Sequence, residues 1–337
     1  MAAWAVEQPG PVSTGPLVAV RRPRPHPGPG EVLVKVTACG LCRTDLHLAE
    51  GDLDPRRPGT VPGHQVVGRV VDSGPDQHRF SEGDRVGIAW LRSTCGQCPW
   101  CRSGAENLCP RSRYTGWDDD GGFAEYAVVP TAYAYQLPEG VPDTQLAPLL
   151  CAGIIGYRAL RRAKLPPGGR LGIYGFGSSA HITAQIALAE GAAVYVATRG
   201  DRSAELARSL GAAWTGGPDQ PFPVPVDSAI VFAPAGELVP QALAGLTRGG
   251  TVALAGIHMS EVPALDYARH LFEEKTLTSV TANTRADGEE LLLLAPRLGV
   301  GVHVTEYAFA EVDRALADLG GGRLSGSAVI TGYPTAE

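Results

Sequence analysis

A chain of 337 residues, 44% of them hydrophobic, is too long for one comfortable core and points to two domains. The formal net charge is −6 and no long block of like charges occurs. Binding of nucleic acid by bulk electrostatics is therefore disfavoured, and Arg21–Arg24, broken by Pro23, reads as a solvated loop. No apolar stretch reaches transmembrane length and Met1–Gly10 lacks the features of a signal peptide, so a cytoplasmic protein with no membrane partner is expected.

The first half reads as β-rich. Glu31–Thr37 alternates, with Val32, Val34 and Val36 on one face, and Gln65–Val71 and Arg85–Ala89 are similar short strands between Gly- and Pro-rich turns. A helix is expected from Asp143 through Leu150 toward Arg162, ended by Pro166–Gly169. The texture then changes. Arg170–Tyr174, Ala193–Thr198, Asp227–Ala233, Thr251–Ala255 and Thr276–Val280 are short β runs. Helical patterns such as Ala180–Glu190, Ala204–Leu210 and Leu238–Leu246 fall between most of them. That alternation predicts a doubly wound parallel sheet. Two helices are expected after Thr284, the second with Phe309, Val312, Leu316 and Leu319 on one face, and Ser327–Thr331 closes the chain as a strand.

Seven cysteines in a chain of this kind point to metal or catalytic thiolates rather than to a disulfide framework. Four of them, Cys95, Cys98, Cys101 and Cys109, have the spacing that wraps a tetrahedral Zn²⁺ with Zn–S of about 2.3 Å. Gly96, Pro99, Gly104 and Pro110 supply turns. With four thiolates and no fifth ligand the site should be closed and structural. An iron–sulfur cluster is the rival, and paired disulfides a weaker one. Cys42, His64 and Cys151 lie too far apart in sequence for spacing to join them; singly, His64 reads as a structural histidine and Cys151 as core.

The segments CRTDLH at 42–47, GHQVVGRV at 63–70, the four-cysteine lobe, LLCAG at 149–153 and a later GxGxxA occur in one order. In that order they resemble the zinc-containing medium-chain alcohol dehydrogenases, along nearly the whole chain. The resemblance implies a catalytic zinc held by Cys42, His64 and Cys151, with a fourth position open to water or substrate oxygen. Asp45 would orient His64 from behind. Thr44 would take the substrate proton and pass it through the nicotinamide ribose to His47 and water; an imidazole, titrating near 6.5, suits that outer position. On the residues alone, Thr44 also reads as the cap of a helix starting near Asp45. Two positions depart from the family or stand outside its motifs. Gln65 stands where Glu is usual, making the site less negative, and Cys39 matches no ligand and reads as a buried strand-end thiol.

Gly175-Phe176-Gly177-Ser178-Ser179-Ala180 follows a predicted strand and opens a predicted helix, the context in which GxGxxA signals dinucleotide binding. Gly175 serves the tight turn, Gly177 the approach of the pyrophosphate, and Ala180 close helix packing. The resemblance adds Arg43 as a pyrophosphate contact, with Gly256 and Ile257 after a later strand completing the cofactor set. No acid stands at Thr198, where the second strand ends, and Arg199 follows it, so NADP(H) is favoured over NAD(H), with Asp201 as the residue that could reverse the choice.

Together these readings predict an α/β protein. A GroES-like β-rich catalytic domain would span 1–152 and 284–337 and carry the structural zinc lobe 95–109. A Rossmann domain would span 153–283. The dinucleotide would lie in the cleft between them. Two zinc ions per chain, a small alcohol or aldehyde substrate and a homodimer or homotetramer are implied by the resemblance. Trp90, Leu91 and Trp117 fall in stretches that resemble pocket linings, and Ile155 near the nicotinamide contacts. Two alternatives are a catalytically inactive zinc- and nucleotide-binding relative, which only Gln65 favours, and a zinc-independent quinone reductase, which the cysteine lobe disfavours.

Overall fold

The computed structural model describes residues 1–334. The chain divides into two compact units, Met1–Cys151 with Ala282–Leu293 and the segment from His303 onward, and Ala152–Thr281 with Leu294–Val302. Among the described residues no helix is long and apolar enough to cross a membrane.

The first unit is built on Glu31–Leu41. This eleven-residue strand pairs antiparallel with Gln65–Ser73, with Tyr126–Pro130 and with Ser327–Thr331. Arg85–Ile88 and Ala134–Gln136 extend the sheet on one side, and Val304–Ala308 extends it on the other by a parallel pairing with Ser327–Thr331. Val32, Val34 and Val36 are buried as the alternation predicts, but Leu33 and Ala38 are buried too. The register shifts at Leu33/Val34 and Val36/Ala38, and such irregularities bend a strand out of strict period-two burial. The hairpin Ala2–Val6 with Leu17–Arg21 and the edge strand Val304–Ala308 were not predicted. Leu91–Ser93 pairs with Arg113–Tyr114 and closes the base of the loop that holds the four-cysteine cluster.

The second unit carries six parallel strands: Arg170–Tyr174, Ala193–Ala197, Trp214–Gly216, Val226–Val231, Leu246–Leu254 and Thr276–Ser279. Counted in chain order, their spatial order is 3-2-1-4-5-6, the doubly wound dinucleotide-binding arrangement. Leu171, Ile173, Val194, Val196, Ile230 and Val252 are fully buried, as expected of strands covered on both faces. The helix expected to reach Leu246 ends at Ala244, and Leu246 already opens a strand. The expected helix from Asp143 is present in three pieces. Asp143–Pro148 and Ile154–Ala163 are α-helical, and between them Leu149–Gly153 widens into a π-turn that contains Cys151.

Candidate metal centres and dinucleotide site

The register of two strands assembles the first cluster. Gly40 pairs with Gln65, so the chain leaving one strand at Cys42 lies beside the chain entering the other at His64. Cys151 arrives on the π-turn, a distortion frequent at functional sites. His64 Nε2 lies 3.4 Å from Cys42 Sγ and 3.3 Å from Cys151 Sγ. The ring's other nitrogen, Nδ1, faces Asp45 Oδ1 at 3.5 Å. Asp45 is itself fixed, accepting the Gly63 N–H on Oδ1 at 3.0 Å and the Cys42 N–H on Oδ2 at 2.9 Å. Cys42, not Thr44, caps the helix Arg43–Glu50; Thr44 is a buried residue of its first turn, which corrects the capping expectation.

The electrostatics of this cluster favour a positive charge on His64. Burial disfavours a charge on His64, yet the Cys42 thiolate and the Asp45 carboxylate outweigh it and lift the imidazole to about 10. Cys42 is held well below the ordinary thiol range, first by its hydrogen bond with Cys151, whose own thiol that contact and burial push up. Two sulfurs and an imidazole nitrogen, all within 4.8 Å of one another in a buried pocket, are a borderline-soft donor set that suits Zn²⁺. A metal ion bound here would have to displace the His64 proton, so its binding would be favoured by rising pH.

His47 lies one turn beyond Thr44 on the same helix face. Its Nδ1 meets Asp52 Oδ2 at 2.8 Å. Asp52 was not singled out from the sequence. The usable signal was Gly51, whose φ of 90° turns the chain back over the helix end and sets the next residue against His47. Trp90 meets His64 edge-on at 4.8 Å and stacks with Tyr114 and Trp117. Leu91 is a fully buried packing residue. Gln65 is also buried, and its amide nitrogen has no hydrogen-bond partner among the described residues. Cys39 is a fully buried thiol inside the long strand.

The second cluster holds the sulfurs of Cys95, Cys98, Cys101 and Cys109 within 4.8 Å of one another. Cys98–Cys101 and Cys95–Cys101 are 3.5 and 3.9 Å apart, close to the roughly 3.8 Å edge of a tetrahedron with Zn–S near 2.3 Å. Backbone N–H groups donate to these sulfurs: Cys98 to Cys95 at 3.3 Å, and Cys95 and Arg111 to Cys109 at 3.4 Å each. The N–H of Gln97 and the Arg111 side chain lower Cys95 to about 5, while burial and the neighbouring thiols push Cys98 up to about 11. Gly96 (φ 71°) makes the turn between the first two cysteines.

In the second unit, Gly175 has φ 86°, and a Cβ there would lie 2.9 Å from Ala233 N; the fold itself requires glycine. Gly177 differs. Its φ is −115° and a Cβ would meet nothing within 4 Å among the described residues. A glycine kept free at the start of the helix Ser178–Ala189 fits close approach by a pyrophosphate. Phe176 and Ala180 are buried beneath the turn, and Ser178 and Ser179 open the helix. Thr198 directly follows the second strand, and Arg199 is exposed beside it. Asp201 is the first residue of the next helix. Gly256 and Ile257 follow the fifth strand, with Ile257 exposed. Arg43, in the other unit, is exposed at the first position of its helix, and Ile155 is half-buried in the helix Ile154–Ala163.

Residues 28–139 match the alcohol dehydrogenase GroES-like domain and residues 180–296 the zinc-binding dehydrogenase domain. A probable alcohol dehydrogenase of Mycobacterium tuberculosis is 56% identical over 98% of this chain and 97% of its own. The chain belongs to the zinc-binding alcohol dehydrogenases. Its fold matches that of a cinnamyl alcohol dehydrogenase of Sorghum bicolor with a TM-score of 0.90 at 28% identity, covering 100% of this chain and 99% of the other. The CAD of Helicobacter pylori, solved as its complex with NADP(H), matches with a TM-score of 0.87 at 25% identity over 98% and 97% of the two chains. The enzyme is thus an α/β oxidoreductase of alcohols and aldehydes.

Proposed function

We propose that the enzyme interconverts alcohols and aldehydes or ketones with NADP(H), using one catalytic zinc at Cys42, His64 and Cys151 and one structural zinc at Cys95, Cys98, Cys101 and Cys109. The convergence of the two thiols on His64 Nε2 carries this reading. When bound, zinc supplies a Lewis acid for the substrate oxygen and the nicotinamide supplies a two-electron hydride partner. The chain's own residues manage the proton. Thr44 exchanges it with the substrate oxygen, and His47 hands it to or takes it from water at Nε2. Asp52 accepts the Nδ1–H and keeps Nε2 the basic nitrogen. Trp90 closes one flank of His64 against water. A cytoplasmic location and a homo-oligomer belong to the same proposal. The test is oxidation of NADPH and NADH against a panel of aldehydes, with zinc measured on the same sample. Turnover with two zincs per chain is expected; iron with visible absorption would refute the structural zinc.

The relay makes a separate prediction. His47→Ala should lower kcat by about 10–10³-fold, the usual scale of general-base assistance, with both metals retained. An unchanged kcat would remove His47 from the reaction.

The preference for NADP(H) rests on Thr198 and the exposed Arg199. A 2′-phosphate adds nearly two negative charges, and one charge-assisted contact is worth on the order of 1.5–3 kcal/mol, or roughly 10–150-fold. Thr198→Asp with Arg199→Ala should therefore move kcat/KM toward NADH by at least about tenfold, adding repulsion while removing attraction. A wild-type enzyme that prefers NADH would mean that Thr198 is misaligned or that Asp201 reaches the ribose.

A further inference from the structure

We propose that Asp120 is a positioning residue for His64, acting on the backbone that delivers the imidazole to the metal-ligand set; this rests on the reading of His64 as a ligand. His64 stands one residue ahead of the strand Gln65–Ser73. The residues ahead of it, Val61-Pro62-Gly63, belong to no helix or regular strand, so something else has to fix them.

They are fixed by a backbone ladder with the segment that follows Asp120. Gly121 N–H donates to Val61 O at 2.8 Å, Gly122 N–H to Gly63 O at 2.7 Å and Phe123 N–H to Pro62 O at 3.0 Å. The two segments are pressed together. A Cβ on Gly121 would sit 2.0 Å from Gly63 O, and one on Gly63, whose φ is 95°, would sit 2.8 Å from Phe123. Asp45 holds the ladder's far end through the Gly63 N–H.

Asp120 holds the near end. Its Oδ1 accepts the Val61 N–H at 2.9 Å and a hydrogen bond from Arg57 Nη2, and its Oδ2 accepts from Arg22 Nη1 at 3.3 Å. One carboxylate thus joins the N-terminal hairpin, the loop leading to His64 and the His64 segment itself. Neither neighbouring acid is free to replace it. Asp118 accepts the Tyr114 N–H at 2.8 Å, and Asp119 is paired with Arg92 and Arg113. Asp120→Ala removes the acceptor for Val61 and unpairs two guanidiniums, which lets the His64 segment slide along its ladder. Asp120→Asn keeps an oxygen for Val61 and Arg57, and loses the charge and the acceptor that faces Arg22.

The test is the rate at which each zinc leaves the purified, two-zinc enzyme under a chromogenic chelator. Outer partners of metal-binding histidines are worth about 10–100-fold in metal affinity. In Asp120→Ala the first zinc should leave at least about tenfold faster while the second leaves at the wild-type rate. Asp120→Asn should return the first rate to within about threefold of wild type. Cobalt substituted for the first zinc should show shifted d–d bands in Asp120→Ala and wild-type bands in Asp120→Asn. Wild-type release of both metals in Asp120→Ala, or equal acceleration of both, overturns the proposal. If Asp120→Ala does not fold, Arg57→Met keeps the Val61 bond and should give an intermediate acceleration of the first zinc alone; no acceleration overturns it. An enzyme with only the lobe zinc would refute the reading of His64, and the proposal with it.

Discussion

Cys42→Ser is expected to lower turnover by about 10³-fold or more while the protein stays folded. On the proposed reading the thiolate would be one of three protein donors to an open zinc site, and zinc there would polarise the substrate oxygen. Lewis-acid stabilisation of that kind is worth several kcal/mol, and about 4 kcal/mol corresponds to that factor. The fold survives because Cys42 sits at a helix cap whose other contacts persist. The Asp45 carboxylate still receives the backbone N–H of residue 42, and serine is a better capping residue than cysteine. Zinc should fall from two per chain to about one, with an unchanged circular dichroism spectrum. A Cys42→Ser enzyme that turns over at more than about a tenth of the wild-type rate would assign the chemistry elsewhere.

Cys98→Ser should do the reverse, costing stability first. The loop between Leu91–Ser93 and Arg113–Tyr114 contains only the four-residue helix Pro99–Arg102 and the 3-10 turn Glu106–Leu108. Its exposed Trp100 and Leu108 show how little core it has. Metal binding and local folding are then one event, and losing a ligand removes both. A loss above about 4 kcal/mol is the scale for breaking a metal site. At roughly 2–4 °C per kcal/mol it should lower Tm by about 8–16 °C. The bidentate Glu106–Arg285 pair and the Thr94–Tyr133 hydrogen bond anchor the lobe's ends, so the rest of the unit should stay folded below the new Tm. Loss of turnover with Tm unchanged would mean that the two sites had been interchanged.

The sequence was most legible where the determinants are local. Four cysteines within fifteen residues specify their own cluster, and the apolar runs of a doubly covered parallel sheet announce strands such as Arg170–Tyr174, found with the predicted ends. The strand-turn-helix around Gly175–Ala180 is equally self-contained. The catalytic donor set is not. Cys42 and His64 meet because Gly40 pairs with Gln65 across the sheet, and Cys151 joins them on a π-turn that no periodicity encodes. Only the family resemblance tied those three together in advance. The helix cap was read at Thr44 because threonine is a common cap; the backbone instead starts the helix two residues earlier, behind Cys42. Asp52 and Asp120 went unnoticed for a related reason. Each acts across a turn on a partner that only the folded chain supplies.

The most direct test is to withdraw zinc stepwise with a chelator while following activity, metal content and Tm on one sample. Two zincs per chain are expected at the start. Activity should fall in proportion to loss of the first and reach zero when one remains, with Tm nearly constant, and added Zn²⁺ should restore it. Removal of the second zinc should then collapse Tm. Aldehyde reduction that survives when the first zinc is gone would contradict a catalytic metal at Cys42, His64 and Cys151.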